Sequence, residues 1–194
     1  NNINYRLWRK SCLYSFPKKV QRQTAVNRKA LMESNTKTVR CFMECYARPF
    51  NTLGNYFSAD IMAIYRGKWV FCMHKQRNTW EHPSGWIENG ETPMEAAKRE
   101  LFEETGAVNF DIEPLCDYYI DAELNGYHYK GNGQVYFAVI HTLGDLPDYS
   151  EMGKIGLFDS LPDNLTYPII REFFPIALEK KSRAEMFRIG RAFF

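Results

Sequence analysis

The first regular pattern in the chain is an alternation of apolar and polar residues over positions 38–46. Val39, Cys41, Met43 and Cys45 would point to one side of an extended backbone, and the residues between them to the other. A period of two is typical of a half-buried strand. We therefore predict a first β-strand here.

Two apolar segments follow at residues 58–65 and 68–74, separated only by Arg66-Gly67. Short apolar segments on either side of a two-residue turn predict a β-hairpin. Residues 79–83 then lead as a further extended segment into a glycine-rich and acidic region.

The second half of the chain has longer apolar segments. Residues 108–120 predict a strand with a break near Pro114, and residues 121–133, which are polar and glycine-rich, predict a loop. Further strands are predicted at 134–142 and 155–158. The apolar residues of 167–181 recur at helical spacing, which predicts a closing helix interrupted at Pro175. Residues 182–194 are predicted to form a tail.

A short helix with strong end signals is predicted at Pro93–Thr105. Thr92 is a good N-cap, Pro93 suits the first helical position, and Glu95 completes a capping box with Thr92. Gly106 suits the left-handed residue that ends a helix. Met94, Ala97 and Leu101 form its narrow apolar stripe.

Three carboxylates lie on the flank of that stripe. Glu100, Glu103 and Glu104 are spaced at i, i+3 and i+4, where like charges repel. A hard divalent cation such as Mg²⁺ would resolve this conflict, because it prefers oxygen ligands and suits sites that bind phosphates. Arg99 is placed to pair with Glu103 or with Glu91 from the preceding loop. The alternative is a solvated acidic helix, which would leave the flanking glycines and the arginine unexplained.

Composition places the chain among ordinary globular proteins. Its 194 residues, 45% of them hydrophobic, suit one domain with some surplus. No apolar run is long enough to cross a membrane, so no membrane partner is predicted. The five cysteines are odd in number, scattered and without the paired spacing of a zinc site. We interpret them as reduced structural residues in a cytoplasmic compartment.

Charge is distributed unevenly. The first 40 residues carry ten basic side chains and one acidic side chain, a charge of +9, whereas the whole chain carries +2, so the remainder carries −7. We expect residues 1–35 to form a basic extension outside the catalytic domain. A nucleic-acid- or lipid-binding arm and an organellar presequence are the alternatives.

The region from Gly85 to Ala107 reads G-x5-E-x7-R-E-L-x-E-E-x-G-A. This pattern resembles the signature of the Nudix hydrolases at every fixed position. The resemblance implies an α/β/α sandwich with a mixed β-sheet over residues 36–182, followed by a tail at 183–194. It also implies hydrolysis of a phosphoanhydride bond in a nucleoside diphosphate derivative, with Mg²⁺, or alternatively Mn²⁺, as cofactor.

The resemblance also implies roles for individual residues. Glu100, Glu103 and Glu104 would bind the metal together with the Ser84 carbonyl, and Arg99 would orient the cluster. The structural positions of the motif would be Gly85, Glu91 and Gly106. Glu151, which precedes Leu157 by six residues, is a further candidate ligand or general base, with Glu123 and Asp145 as competitors. The general base itself stays open among Glu103, Glu104 and Glu151.

Outside the signature, the chain resembles MutT-like nucleoside triphosphate pyrophosphohydrolases of Gram-positive bacteria, through GKWVF, WEHPSGW and LPDNL. Such enzymes are described as 8-oxo-dGTP diphosphatases and release a monophosphate and pyrophosphate. Asn164 is the candidate reader of the purine, with a turn or capping role as its alternative. Tyr127 is a candidate base-stacking residue, with coverage of a sheet edge as its alternative. We interpret His82 as a histidine with a satisfied hydrogen bond, with metal binding as the alternative.

Three hypotheses for function follow. The first is a (d)NTP pyrophosphohydrolase, with an oxidised dGTP as the favoured substrate. The second is an RNA 5′-end pyrophosphohydrolase, which the same carboxylates would serve and which a basic arm would favour. The third is a non-catalytic nucleotide-sensing module. The oligomeric state is left open.

Overall fold

The computed structural model describes residues 43–124 and 127–191. The predicted basic extension at residues 1–35 and the beginning of the first predicted strand lie outside the described residues. The strands are β1 Met43–Arg48, β2 Tyr56–Tyr65, β3 Lys68–His74, β4 Ser84–Trp86, β5 Ala107–Leu124, β6 Tyr127–Leu143 and β7 Met152–Phe158. The helices are α1 Pro93–Thr105 and α2 Ile170–Arg191.

The described strands form one seven-stranded sheet in the order β1-β5-β6-β2-β3-β7, with β4 paired to β2. The β2–β6 pair is parallel, and the other pairs are antiparallel. The sheet is therefore mixed, as predicted. The β2–β3 hairpin turns at Arg66 and Gly67, whose φ angles of 51° and 78° suit a tight two-residue turn.

Each face of the sheet is covered by one helix. Along β2, Ala59, Ile61 and Ala63 point to one side and belong to a core cluster with the α1 residue Leu101. Met62 and Ile64 point to the other side. On that side, the second core cluster is completed by three residues of α2, Ile170, Phe173 and Ala177. This alternation of period two builds two cores, and the predicted α/β/α sandwich is confirmed.

The predicted loop at residues 121–133 is wrong. The segment continues β5 and β6 as a long antiparallel hairpin, in which Asp121 pairs with Lys130 and Ala122 with Tyr129. Lys130 Nζ also lies 2.8 Å from Asp121 Oδ2. Cross-strand ion pairs of this kind stabilise a ladder even where the composition is polar.

The predicted interruption at Pro175 is also wrong, and helix α2 continues into the segment predicted as a tail at 183–194. Helix α2 runs without a break from Ile170 to Arg191, with Pro175 inside it. Proline there removes one backbone donor near the start of the helix. The residues that follow are rich in alanine, glutamate, lysine and arginine, which favour helix strongly enough to continue it.

Cys45, Cys72 and Cys116 are all buried, and Cys72 and Cys116 are free thiols, consistent with a structural role. Within the described part of the chain, neither helix is long and apolar enough to cross a membrane.

Candidate active site

Helix α1 begins and ends as its sequence predicts. Glu95 N donates to the Thr92 hydroxyl, and Glu95 Oε2 accepts from Thr92 N at 2.8 Å, which completes the capping box. Gly106 takes the left-handed conformation, with φ 72° and ψ 20°. A side chain there would also collide with the carbonyl oxygens of Gly144 and Asp145, each 2.7 Å from the position of a Cβ. These local features set where the helix carboxylates stand.

Arg99 hydrogen-bonds both the loop that precedes α1 and two carboxylates of α1 itself. Its Nε donates to Glu91 Oε1 at 2.7 Å and its Nη2 to Glu91 Oε2 at 3.0 Å. Its Nη1 donates to Glu100 Oε1 at 2.6 Å and to Glu103 Oε2 at 3.2 Å. Nη2 also reaches the Trp86 carbonyl at 3.0 Å. The hydrogen bonds from Arg99 lower the pKa of Glu91.

Glu100 lies against the backbone of Gly85. Burial raises the pKa of the Glu100 carboxyl, and Arg99 opposes that rise. A Cβ on Gly85 would fall 1.8 Å from Glu100 Oε1, so only glycine leaves room for this carboxylate. The predicted structural role of Gly85 therefore has a steric reason.

Glu104 is the innermost carboxylate of the helix. Its Oε2 accepts from Ser84 N at 2.9 Å, and the Cys72 thiol lies 3.6 Å from the same oxygen. Burial raises the pKa of Glu104 well above its ordinary value, and the charges of Glu100 and Glu81 raise it further. A carboxyl in such surroundings is strongly favoured to gain a cationic partner.

The donor set fits a hard divalent cation. Carboxylate oxygens from Glu100, Glu103 and Glu104 lie at one end of α1, and Ser84 follows the chain into β4 beside them. In the described part of the chain no three acidic, histidine or cysteine side chains already stand in metal-binding geometry. Two of the three glutamates turn to Arg99 instead. Oxygen ligands with excess negative charge suit Mg²⁺ or Mn²⁺.

These carboxylates line a cavity of about 570 Å³. Glu151 lies at its rim with a side chain 79% exposed, and Glu151 Oε2 is 3.5 Å from His74 Nε2. Two large exposed aromatic side chains, Trp86 and Tyr149, also border the cavity. Glu123 and Asp145, the competitors of Glu151, do not line it.

Two predicted substrate contacts have different outcomes. Asn164 lies outside the cavity lining, where its Nδ2 donates to the Asn78 carbonyl at 2.9 Å. This contact fits the turn role that was its alternative, and the substrate role of Asn164 stays a prediction. The side chain of Tyr127 lies outside the described residues, so its predicted stacking role stays a prediction.

A cluster of buried polar side chains on the cavity wall was not predicted from the sequence. Asp60 Oδ1 lies 2.7 Å from His82 Nε2, and Asp60 Oδ2 accepts from Ser58 at 3.1 Å and from Tyr118 at 3.0 Å. The satisfied hydrogen bond predicted for His82 is confirmed. The available signal was a serine and an aspartate two residues apart on the inward face of an apolar strand.

A comparison with protein families matches residues 56–150 to the family model described as the NUDIX domain. This part of the chain is a Nudix domain. The motif residues of α1 and β4 all fall inside the matched region.

Named relatives agree with this assignment. Over 106 residues the chain is 35% identical to the Bacillus subtilis protein YtkD, which bears the name of an 8-oxo-dGTP diphosphatase, covering 55% of this chain and 64% of that protein. It is 40% identical over 67 residues to an RNA pyrophosphohydrolase of Bartonella bacilliformis, covering 30% of this chain and 39% of the relative. The matches thus span less than two thirds of these relatives.

Solved structures show the same fold. The Bacillus subtilis pyrophosphohydrolase BsRppH superposes with a TM-score of 0.57 at 26% identity, over 73% of this chain and 90% of that one. A NUDIX hydrolase from Nitrosomonas europaea gives a TM-score of 0.54 at 18% identity, over 64% and 88% of the two chains, and shows the fold alone.

Proposed function

We propose that the Nudix domain hydrolyses a phosphoanhydride bond of a nucleoside triphosphate, with an (8-oxo-)dGTP-like substrate, to give a nucleoside monophosphate and pyrophosphate. The observation that carries the proposal is the grouping of Glu100, Glu103 and Glu104 beside a cavity large enough for a nucleotide. The name of YtkD supports the substrate class.

Glu100, Glu103, Glu104 and the Ser84 carbonyl would hold Mg²⁺, and Glu151 could add a ligand from the rim. Bound divalent cations neutralise the diphosphate and lower the pKa of a coordinated water. Arg99 keeps Glu100 and Glu103 at a constant distance from the Glu91 loop through its hydrogen bonds. Positioning of this kind contributes much of the acceleration in phosphoryl transfer.

In the proposed reaction, a water oxygen forms a bond to phosphorus while the anhydride P–O bond breaks and pyrophosphate leaves. The proton of the water passes to a carboxylate, for which Glu103, Glu104 and Glu151 are the candidates. Glu151 is exposed, with Oε2 3.5 Å from His74 Nε2, whereas Glu103 accepts a hydrogen bond from Arg99. Single Glu→Gln variants at each position would identify the acceptor by their loss of kcat.

A second candidate activity is removal of pyrophosphate from the 5′ end of RNA. The likeness to BsRppH and to the Bartonella RNA pyrophosphohydrolase favours it. The exposed Trp86 and Tyr149 at the cavity border offer rings on which further bases could stack. The basic residues in positions 1–40 would add affinity for RNA that falls with salt.

The test is a product assay with the full chain, Mg²⁺ and a panel of dGTP, 8-oxo-dGTP, ATP, ADP-ribose and 5′-triphosphorylated RNA. Monophosphate and pyrophosphate from a free nucleotide, abolished by Glu103→Gln, support the first activity. Preferential turnover of RNA supports the second. Nucleotide binding without any turnover overturns both and leaves a sensing module.

A further inference from the structure

Glu81 is a buried carboxylate on the cavity wall to which the proposed reaction assigns no role. The residue is 3% exposed and lines the cavity that also contains Glu104. Its backbone is held on both sides by Cys72, with Cys72 N to Glu81 O at 2.8 Å and Glu81 N to Cys72 O at 2.9 Å. The backbone of Glu81 is therefore fixed by its pairing with β3, and this pairing sets where its side chain begins.

The two oxygens of Glu81 have different surroundings. Oε2 accepts a hydrogen bond from Arg77 Nη1 at 2.7 Å. Oε1 is buried and has no partner within hydrogen-bonding distance among the described residues, and the Thr166 hydroxyl is a more distant donor to the carboxylate. A buried acceptor without a donor is destabilising, and in native proteins such an atom usually has a partner, either water or a ligand. Burial raises the pKa of Glu81, and the charge of Arg77 opposes that rise.

Arg77 supplies the complementary donors beside that free oxygen. In the described part of the chain its side-chain hydrogen bonds involve Nη1 alone, which donates to Glu81 at 2.7 Å and to the Tyr167 hydroxyl at 3.2 Å. Nε and Nη2 thus keep N–H groups for a ligand, since a guanidinium has five donors. The Arg77 side chain is 37% exposed and also lines the cavity. Donors and an acceptor therefore stand side by side on one wall.

Aromatic rings border the same region. The Arg77 Cζ lies over the Tyr167 ring, 5.9 Å from the ring centroid. Tyr167 and Tyr129 both line the cavity. Flat rings beside a polar edge are the usual surroundings of a bound nucleobase, which is stacked on its faces and hydrogen-bonded along its edge.

We propose that Arg77 and Glu81 read a purine through a lactam edge, in which a ring carbonyl accepts from Arg77 and the adjacent ring N–H donates to Glu81 Oε1. This inference rests on the proposed nucleotide substrate. Guanine has such an edge at O6 and N1–H, and an 8-oxopurine has one at O8 and N7–H. The corresponding edge of adenine is reversed, with an amine donor beside a ring acceptor, so it would meet Arg77 and Glu81 with the wrong polarity.

The decisive variant is Glu81→Gln, which keeps the size of the side chain. If the amide oxygen stays on Arg77, the amide nitrogen takes the place of Oε1 and turns an acceptor into a donor. The base ratio, which is kcat/KM for dGTP over dATP if the 6-oxo edge is read and for 8-oxo-dGTP over dGTP if the 8-oxo edge is read, should then fall by about 10- to 100-fold. Glu113→Gln is the matched control, because Glu113 is also paired with a cation, Lys180 Nζ at 2.7 Å, but lies outside the cavity lining.

Two further measurements keep the inference testable if Glu81→Gln folds poorly or if no nucleotide is turned over. Arg77→Lys should also lower the guanine preference, since an ammonium cannot reproduce the guanidinium geometry. Calorimetric binding of dGMP, 8-oxo-dGMP and dAMP to the full chain should show the same preference for the lactam that is read, without hydrolysis. Preference in binding with no turnover would support the base reader and overturn the proposed reaction.

The nucleotide panel separates the two lactams. Equal preference for dGTP and dITP over dATP assigns the 6-oxo edge. Equal turnover of 8-oxo-dATP and 8-oxo-dGTP, with dGTP no better than dATP, assigns the 8-oxo edge. The inference is overturned if Glu81→Gln leaves the base ratio unchanged. It is equally overturned if the variant lowers kcat for all nucleotides by the same factor, which would place Glu81 in metal or water handling.

Discussion

Glu100 rests directly on the α-carbon of Gly85, so closely that a Cβ at position 85 would lie 1.8 Å from Glu100 Oε1 and 2.2 Å from its Cδ. The Glu100 carboxylate therefore occupies the space that a side chain at position 85 would need. Glycine at position 85 is required by the neighbouring carboxylate rather than by a left-handed backbone, since Gly85 is not among the positive-φ residues of the described chain.

Gly85→Ala should therefore displace the Glu100 carboxylate and lower activity while leaving the fold intact. The displaced atoms are the end of a side chain, which can rotate away from the new methyl group. A misplacement of about 1 Å near reacting groups can cost about 100-fold in rate, and we expect a fall in kcat of that order. Gly54→Ala is the control, because a Cβ there would meet nothing within 4 Å. Unchanged kcat in Gly85→Ala would contradict the role of Glu100.

Arg99→Lys should lower kcat/KM by about 10- to 100-fold, because an ammonium cannot hold three glutamates and a carbonyl at fixed angles. The free energy of unfolding should fall by about 1–2 kcal/mol, as the charge-assisted hydrogen bonds to Glu91 are weakened. Steady-state kinetics and urea denaturation would measure the two effects. Arg183→Lys, which changes an exposed pair with Glu179 on α2, should alter neither.

The raised pKa of Glu104 predicts a specific pH dependence in the absence of divalent cations. Because the folded-state pKa lies above the ordinary value of 4.5, the folded protein holds the proton more tightly than the unfolded chain. The stabilisation is complete below that ordinary value and is lost as the pH rises through the folded-state pKa. Glu104→Gln should remove this loss and leave the metal-free protein more stable at neutral pH.

The same variant should lose its response to metal. Mg²⁺ should raise the melting temperature of the native sequence at neutral pH, because a ligand that binds only the folded state stabilises it. Glu104→Gln should show little of this shift. An equal Mg²⁺ shift in both proteins, measured by thermal denaturation over a pH series, would argue against Glu104 as a ligand.

Asp60→Asn should destabilise the fold by about 3 kcal/mol, because it removes the charge from a buried pair with His82 and replaces one acceptor oxygen by a donor. Ser58 and Tyr118 both donate to Oδ2 of that aspartate, so an amide must keep its oxygen there and place its nitrogen, a donor, against His82 Nε2. Urea denaturation measures the loss. Asp159→Asn, which breaks an exposed pair with Lys68, should change stability by less than about 0.5 kcal/mol.

Local patterns predicted the elements whose hydrogen bonds are local. The capping box at Thr92 and Glu95 and the left-handed end at Gly106 need only neighbouring residues, so helix α1 was predicted to the residue. The β2–β3 hairpin was predicted for the same reason, through Arg66-Gly67. The polar, glycine-rich composition of residues 121–133 predicted a loop, but strand pairing makes this segment the outer half of the β5–β6 hairpin. There, the buried residues Tyr118, Ile120 and Ala122 continue the period of two.

The amino-acid sequence by itself determined the signature, the helix that carries its glutamates, and the sandwich in which that helix lies. These follow from residue spacing along one segment and from the period of the strands. Only the tertiary structure decided that Glu100 rests on Gly85, that Asp60 meets His82 and Tyr118, and that Arg77 leaves one oxygen of Glu81 free. Those contacts depend on sheet register and helix packing, which join segments that no local pattern relates.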